Sequence, residues 1–89
     1  MPQRPVTIVN KLGLHARAAA KLVTTASSFS SNIDLEKNGQ RVNGKSIMGV
    51  MMLAASRGTE LILYVSGEDE VAAADSLEQL IADRFGENE

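Results

Sequence analysis

The chain has one histidine, His15. It follows Gly13-Leu14 and leads into the alanine-rich stretch Ala16-Arg17-Ala18-Ala19-Ala20-Lys21-Leu22-Val23. That stretch reads as a helix, which puts the imidazole at a helix start with a guanidinium two residues on. The first N–H groups of a helix lack intrahelical partners and lie at the positive end of its dipole. Such a terminus is a natural anion site. Histidine is a nitrogen nucleophile that works near neutral pH. His15, the backbone N–H groups of Ala16 and Arg17, and the Arg17 guanidinium thus make a set suited to a histidine that carries a phosphoryl group. Taken singly, each part has a plainer reading: a lone histidine is usually a surface residue, and Arg17 or Lys21 can be solvated charges. The combination sets this stretch apart.

Composition narrows the remaining classes. Eighty-nine residues suit one domain, spanning 1–89, with one core. There is no cysteine, so disulfides and thiolate metal sites are excluded, and a single histidine removes most zinc constellations. No metal or cofactor is expected. The net charge of −2 argues against a nucleic-acid partner. No apolar run approaches a membrane span, so no membrane insertion is expected, and the expected location is the cytoplasm.

The elements that must position His15 follow from periodicity. Val6–Val9 is β-branched and reads as a strand, with Pro2 and Pro5 before or at its start. A loop through Gly13 leads to a helix from Ala16 to about Ser27, whose stripe is Ala19, Leu22, Val23 and Ala26. Asn32–Lys37 alternates, with Ile33 and Leu35 inward. Asn38-Gly39 signals a hairpin into Gln40–Asn43, an edge strand. Ser46 is placed to cap a helix beginning at Ile47 and stopped by Ser56-Arg57-Gly58. That segment, Ile47 to Ala55, is apolar all round, so part of it should meet a partner. Val50 and Leu53 should be buried, and Met48 and Met51 exposed. Thr59–Ser66 is the most apolar strand and should be central. Glu68, Asp69 and Glu70 load the start of a last helix with charge. Its inward stripe is Val71, Ala74, Leu77, Leu80, Ile81 and Phe85, with Gly86 ending it and Glu87-Asn88-Glu89 as a frayed tail. The order β-α-β-β-α-β-α points to an α+β fold, one antiparallel sheet with its helices on one face.

Two motifs in this frame resemble those of a known family. Asn10-Lys11-Leu12-Gly13-Leu14-His15-Ala16-Arg17 is similar to the active-site signature of the HPr family, the histidine-containing phosphocarriers of the bacterial phosphoenolpyruvate:sugar phosphotransferase system. Asn43-Gly44-Lys45-Ser46-Ile47-Met48-Gly49-Val50-Met51 is similar to that family's regulatory serine signature. The resemblance covers the whole chain. It implies an open-faced sandwich with strand order 1-4-2-3 and three helices. It also implies that enzyme I phosphorylates His15 on Nδ1 and that the group passes to EIIA-type domains. In some relatives a kinase/phosphorylase also modifies the serine matching Ser46.

The family places the second helix beside the active histidine. Its apolar residues Ile47, Met48, Met51 and Met52 are therefore the expected docking surface, since methionine adapts to several partners. Many relatives have proline directly after the arginine, where this chain has Ala18. The expected protein is a monomeric carrier with a phosphohistidine intermediate rather than a stand-alone enzyme. Two alternatives stand beside it: the nitrogen-related NPr branch of the family, and a small-ligand-binding regulatory domain. A Ser-His-Asp hydrolase is disfavoured, since nothing in the sequence marks an orienting acid.

Overall fold

The computed structural model describes residues 3–89; Pro2 lies outside them. The elements are β1 (Gln3–Thr7), α1 (Ala16–Ser27), β2 (Asn32–Lys37), β3 (Gln40–Asn43), α2 (Ile47–Met52), β4 (Glu60–Ser66) and α3 (Glu70–Ala82), followed by a 3-10 turn over Arg84–Gly86. The four strands form one sheet in the order β1-β4-β2-β3, every neighbouring pair antiparallel. This is the expected open-faced sandwich.

Strand alternation decides which face is covered. Ile33 and Leu35 of β2 stand opposite Val65 and Leu63 of β4, and Val6 of β1 stands opposite Leu61. All six are buried. Ala18, Ala19, Leu22 and Ala26 of α1 close over them with Ala73, Ala74, Leu77 and Ile81 of α3. The alanines leave room for the helices to lie close to the sheet. Asn38 and Gly39 both take positive φ, the conformation that a two-residue hairpin turn requires. On the open face, Tyr64 donates to Glu36, and the Arg41 guanidinium lies 3.8 Å from the centre of its ring. This one aromatic of the open face is thus already covered.

Several boundaries differ from the sequence reading. The first strand is Gln3–Thr7 rather than Val6–Val9, and it contains Pro5, paired opposite Ile62. β1 is an edge strand, where a missing N–H is tolerated. Val9 is exposed. Val71 does not face the core: it is 59% exposed, and Ala73 takes the inward place beside Ala74. α3 ends at Ala82, so Phe85 is buried from the separate turn that follows it and not from the helix stripe.

α2 is a short helix. It stops at Met52, and Ala54 adopts φ 50, which ends the helical path before Ala55. Val50 and Leu53 are buried as expected. The Gly49 N–H donates to Ser46 Oγ at 3.2 Å, so Ser46 is the N-cap. Ser46→Ala should lower the unfolding free energy by about 1 kcal/mol, measured by urea titration.

Asp69 does more than charge a helix start. Its carboxylate accepts from Ser31 Oγ and from the backbone N–H groups of Ser30 and Ser31, tying the α1–β2 turn to the start of α3. Gly67 lets these segments meet, because a Cβ there would lie 2.7 Å from Ser31 Cα. The Ser31 hydroxyl, followed by the two amides, lowers the Asp69 carboxyl to about 2. A depressed carboxyl stabilises the fold above its unfolded value of ~3.9, and that contribution fades as pH falls toward about 2. Asp69→Asn should therefore be less stable than wild type at neutral pH. The gap should close as pH falls through that window, as read by urea unfolding at each pH.

Candidate functional site

The loop before α1 is fixed from both sides. Gly13 adopts φ +68, and a Cβ on it would lie 2.5 Å from the Ala55 carbonyl oxygen. The Leu14 N–H donates to that same oxygen at 2.8 Å. Only glycine lets the loop press so closely on the segment after α2. Asn10 is fully buried, and its Nδ2 donates to the Gly13 carbonyl at 2.8 Å. These contacts deliver His15 to the N-cap of α1 with an extended backbone.

His15 makes no side-chain capping bond, so its ring is free for other work. The first bond of the helix runs from the Ala19 N–H to the His15 carbonyl at 2.8 Å. The N–H groups of Ala16 and Arg17 therefore have no helical acceptor. Ala16 and Arg17 are exposed, and Arg17 forms no ion pair among the described residues. His15, Ala16 and Arg17 line one open groove of about 660 Å³ together with Lys11, Leu12 and the segment Glu87–Glu89. The structure thus brings together the three residues that the sequence singled out. Ala18 is fully buried against the core, away from the groove.

The four residues expected to meet partners stand on α2 with exposures of 41% for Ile47, 70% for Met48, 42% for Met51 and 65% for Met52. α2 packs against α1, and the residues after it carry the Ala55 carbonyl that holds the His15 loop. Ser46 caps the other end of α2 and does not line the groove.

The segment read as a frayed tail is part of the site. His15 Nε2 is hydrogen-bonded to Glu87 Oε2. Asn10 Nδ2 donates to Glu87 Oε1 at 3.0 Å, and both acceptors of that amide fix its orientation. Lys11 is bonded through its backbone N–H to the Glu89 carbonyl, and its Nζ lies 3.6 Å from the Glu89 carboxylate. Lys21, read as a solvated charge, donates from Nζ to the Phe85 carbonyl at 2.7 Å. The buried Phe85 ring and this lysine hold the segment in place. The hydrogen bonds from His15 and then Asn10 lower the Glu87 carboxyl below the usual range. No local pattern announces Glu87, since it meets an imidazole 72 residues away. A buried aromatic directly after the last helix was the available signal that the chain does not leave the surface there. Among the described residues, no cluster of histidine and carboxylate side chains could hold a metal, and no helix is long and apolar enough to cross a membrane.

Fold and site define the class: a small open-faced sandwich built around a part-exposed histidine at a helix start. Known proteins of this kind are similar to it along its whole length. A family model described as the PTS HPr component phosphorylation site matches residues 2–83. Phosphocarrier protein HPr of Cupriavidus necator is 56% identical, with both chains fully covered. The solved structure of HPr-C-His from Thermoanaerobacter tengcongensis superposes with a TM-score of 0.96 at 48% identity, again covering both chains fully. A structure described as the HPr dimer of the same organism gives 0.79 at 49% identity, covering 98% of this chain and all of that one. The chain belongs to the HPr family, the phosphocarriers of the phosphotransferase system.

Proposed function

We propose that His15 accepts a phosphoryl group on Nδ1 from enzyme I and passes it to EIIA-type domains. The observation that carries this reading is the groove at the start of α1. There a part-exposed imidazole stands beside two N–H groups without helical acceptors and an Arg17 that forms no ion pair among the described residues. The incoming group adds close to two negative charges. The Ala16 and Arg17 amides take part of that charge as fixed dipoles, and the Arg17 side chain takes more through charge-assisted hydrogen bonds. The site is open, which suits a carrier: each ~1.4 kcal/mol of excess hold on the phosphorylated form shifts transfer about tenfold. Every group named comes from one chain, so a monomer suffices, working in the cytoplasm. Incubation with phosphoenolpyruvate and enzyme I should give an acid-labile, base-stable phosphate that an added EIIA domain removes. No labelling sinks the reading.

Ile47, Met48, Met51 and Met52 form the partner-docking surface, because α2 leaves them exposed beside the elements that hold His15. Ser46 is the regulatory site for an HPr kinase/phosphorylase. A phosphate there keeps the capping acceptor and adds charge directly before the docking helix. It would repel an acidic partner face without refolding the domain. Ser46→Asp should slow acceptance from enzyme I roughly tenfold or more, in line with the penalty for like charges meeting at an interface. A wild-type rate would remove the electrostatic account.

A further inference from the structure

The Glu87 carboxylate bridges two fixed groups, with Oε2 on the His15 ring and Oε1 on the buried Asn10 amide. Its side chain is 16% exposed and that of His15 is 29% exposed, so the pair is sheltered on one side only. Phe85, fully buried, and Lys21 anchor the backbone just before it. The backbone bond from Lys11 to Glu89 anchors it just after. A carboxylate held by the Asn10 amide, on a backbone anchored before and after it, and aimed at a ring nitrogen is a built contact, not a passing one.

We propose that Glu87 is the positioning residue of His15. It holds the ring proton on Nε2, turns the Nδ1 lone pair toward the groove, and balances the ring charge that phosphoryl transfer creates. This rests on the reading of His15 as the phosphoryl acceptor.

An ionised carboxylate only accepts hydrogen bonds, so the nitrogen facing it carries the proton. The lowered carboxyl of Glu87 keeps it ionised at neutral pH. The neutral imidazole then has its lone pair on Nδ1, to which no hydrogen bond runs among the described residues. In transfer, the Nδ1 pair forms the N–P bond. The donor's bond to phosphorus breaks, and its electron pair leaves with the donor. The ring becomes cationic with its proton still on Nε2, and the Glu87 charge lies against it. On onward transfer the acceptor forms its bond to phosphorus, and the N–P pair returns to Nδ1. The ring is neutral again, and the Nε2 proton has stayed in place throughout. The carboxylate thus steadies the nucleophile in one direction and the leaving group in the other. An aspartate oriented on a catalytic histidine works on the same principle.

The single histidine makes the test direct, because nitrogen-15 resonances of one ring report the tautomer without overlap. In the unphosphorylated wild type at alkaline pH, the proton should reside on Nε2. In Glu87→Ala the two tautomers should mix, and kcat/KM for phosphoryl acceptance should fall roughly ten- to a hundredfold, the scale of one hydrogen bond to a charged group. Glu87→Gln retains an acceptor without the charge. It should keep the Nε2–H form yet still transfer more slowly, which a purely structural contact would not produce. An unchanged tautomer in Glu87→Ala overturns the proposal, as do wild-type rates in both variants. A wild type that holds its proton on Nε2 but takes no phosphoryl group overturns the carrier reading itself and the transfer role with it.

Discussion

Alanine in place of His15 should abolish phosphoryl acceptance while leaving the fold standing. The chain has no second imidazole to take over, so labelling from phosphoenolpyruvate and enzyme I should drop to background. The substitution is clean for structural reasons. The His15 ring makes no capping bond to α1, so the helix start keeps the capping it has. The ring is part-exposed and is not among the core residues. Glu87 loses one partner, but Asn10 still holds its other oxygen and solvent reaches the vacated side. Thermal unfolding close to wild type, together with absent labelling, assigns the loss to chemistry. Label retained at a wild-type level in the alanine variant would place the acceptor elsewhere.

The second large effect belongs to Phe85, which binds no substrate. Phe85→Ala should lower the unfolding free energy by about 3–5 kcal/mol, the range for emptying a fully buried aromatic site. Small domains have about 5–15 kcal/mol in all, so urea unfolding should show a large shift in midpoint. The location adds a further consequence. Arg84 and Phe85 both adopt positive φ, 57 and 54, which non-glycine residues take only at some energetic penalty. Burial of the ring offsets that penalty. Without it the turn has no reason to hold, and Glu87 loses its approach to His15. The variant should therefore show mixed His15 tautomers even under conditions where it remains folded. A loss under about 1 kcal/mol would mean that the ring site collapses without penalty.

Much of this architecture was legible because its signals are local. The Asn38-Gly39 hairpin, the Ser46 cap and the alternation of Ile33, Leu35, Leu61, Leu63 and Val65 are set by neighbours in sequence. His15 and Arg17 were visible for the same reason, since a helix start is a local feature. The missed features join distant segments. Glu87 on His15, Lys21 on the Phe85 carbonyl and Asp69 on Ser30 and Ser31 each pair a residue with one far along the chain. The acidic run Glu68-Asp69-Glu70 looked like helix-dipole charge, and the acidic end looked like a solvated tail; composition is the same in both roles. Val71 failed for another reason. The buried stripe of α3 runs through Ala73, Ala74, Leu77 and Ile81, and at 3.6 residues per turn Val71 falls on its flank, where it is exposed.

The position of β4 in the sheet has a consequence for how the molecule is made. β4 lies between β1 and β2 and is hydrogen-bonded to both, yet it is the last strand among the described residues. Until it emerges from the ribosome, only the β2–β3 hairpin can close, and a lone hairpin is at best marginally stable in water. β1, complete at Thr7, must wait for a pairing strand that begins only at Glu60. The α1 alanines likewise have no sheet to cover in that interval. Assembly is therefore delayed and then concerted: arrival of one strand joins both halves of the sheet, and loop closure over long separations sets its pace.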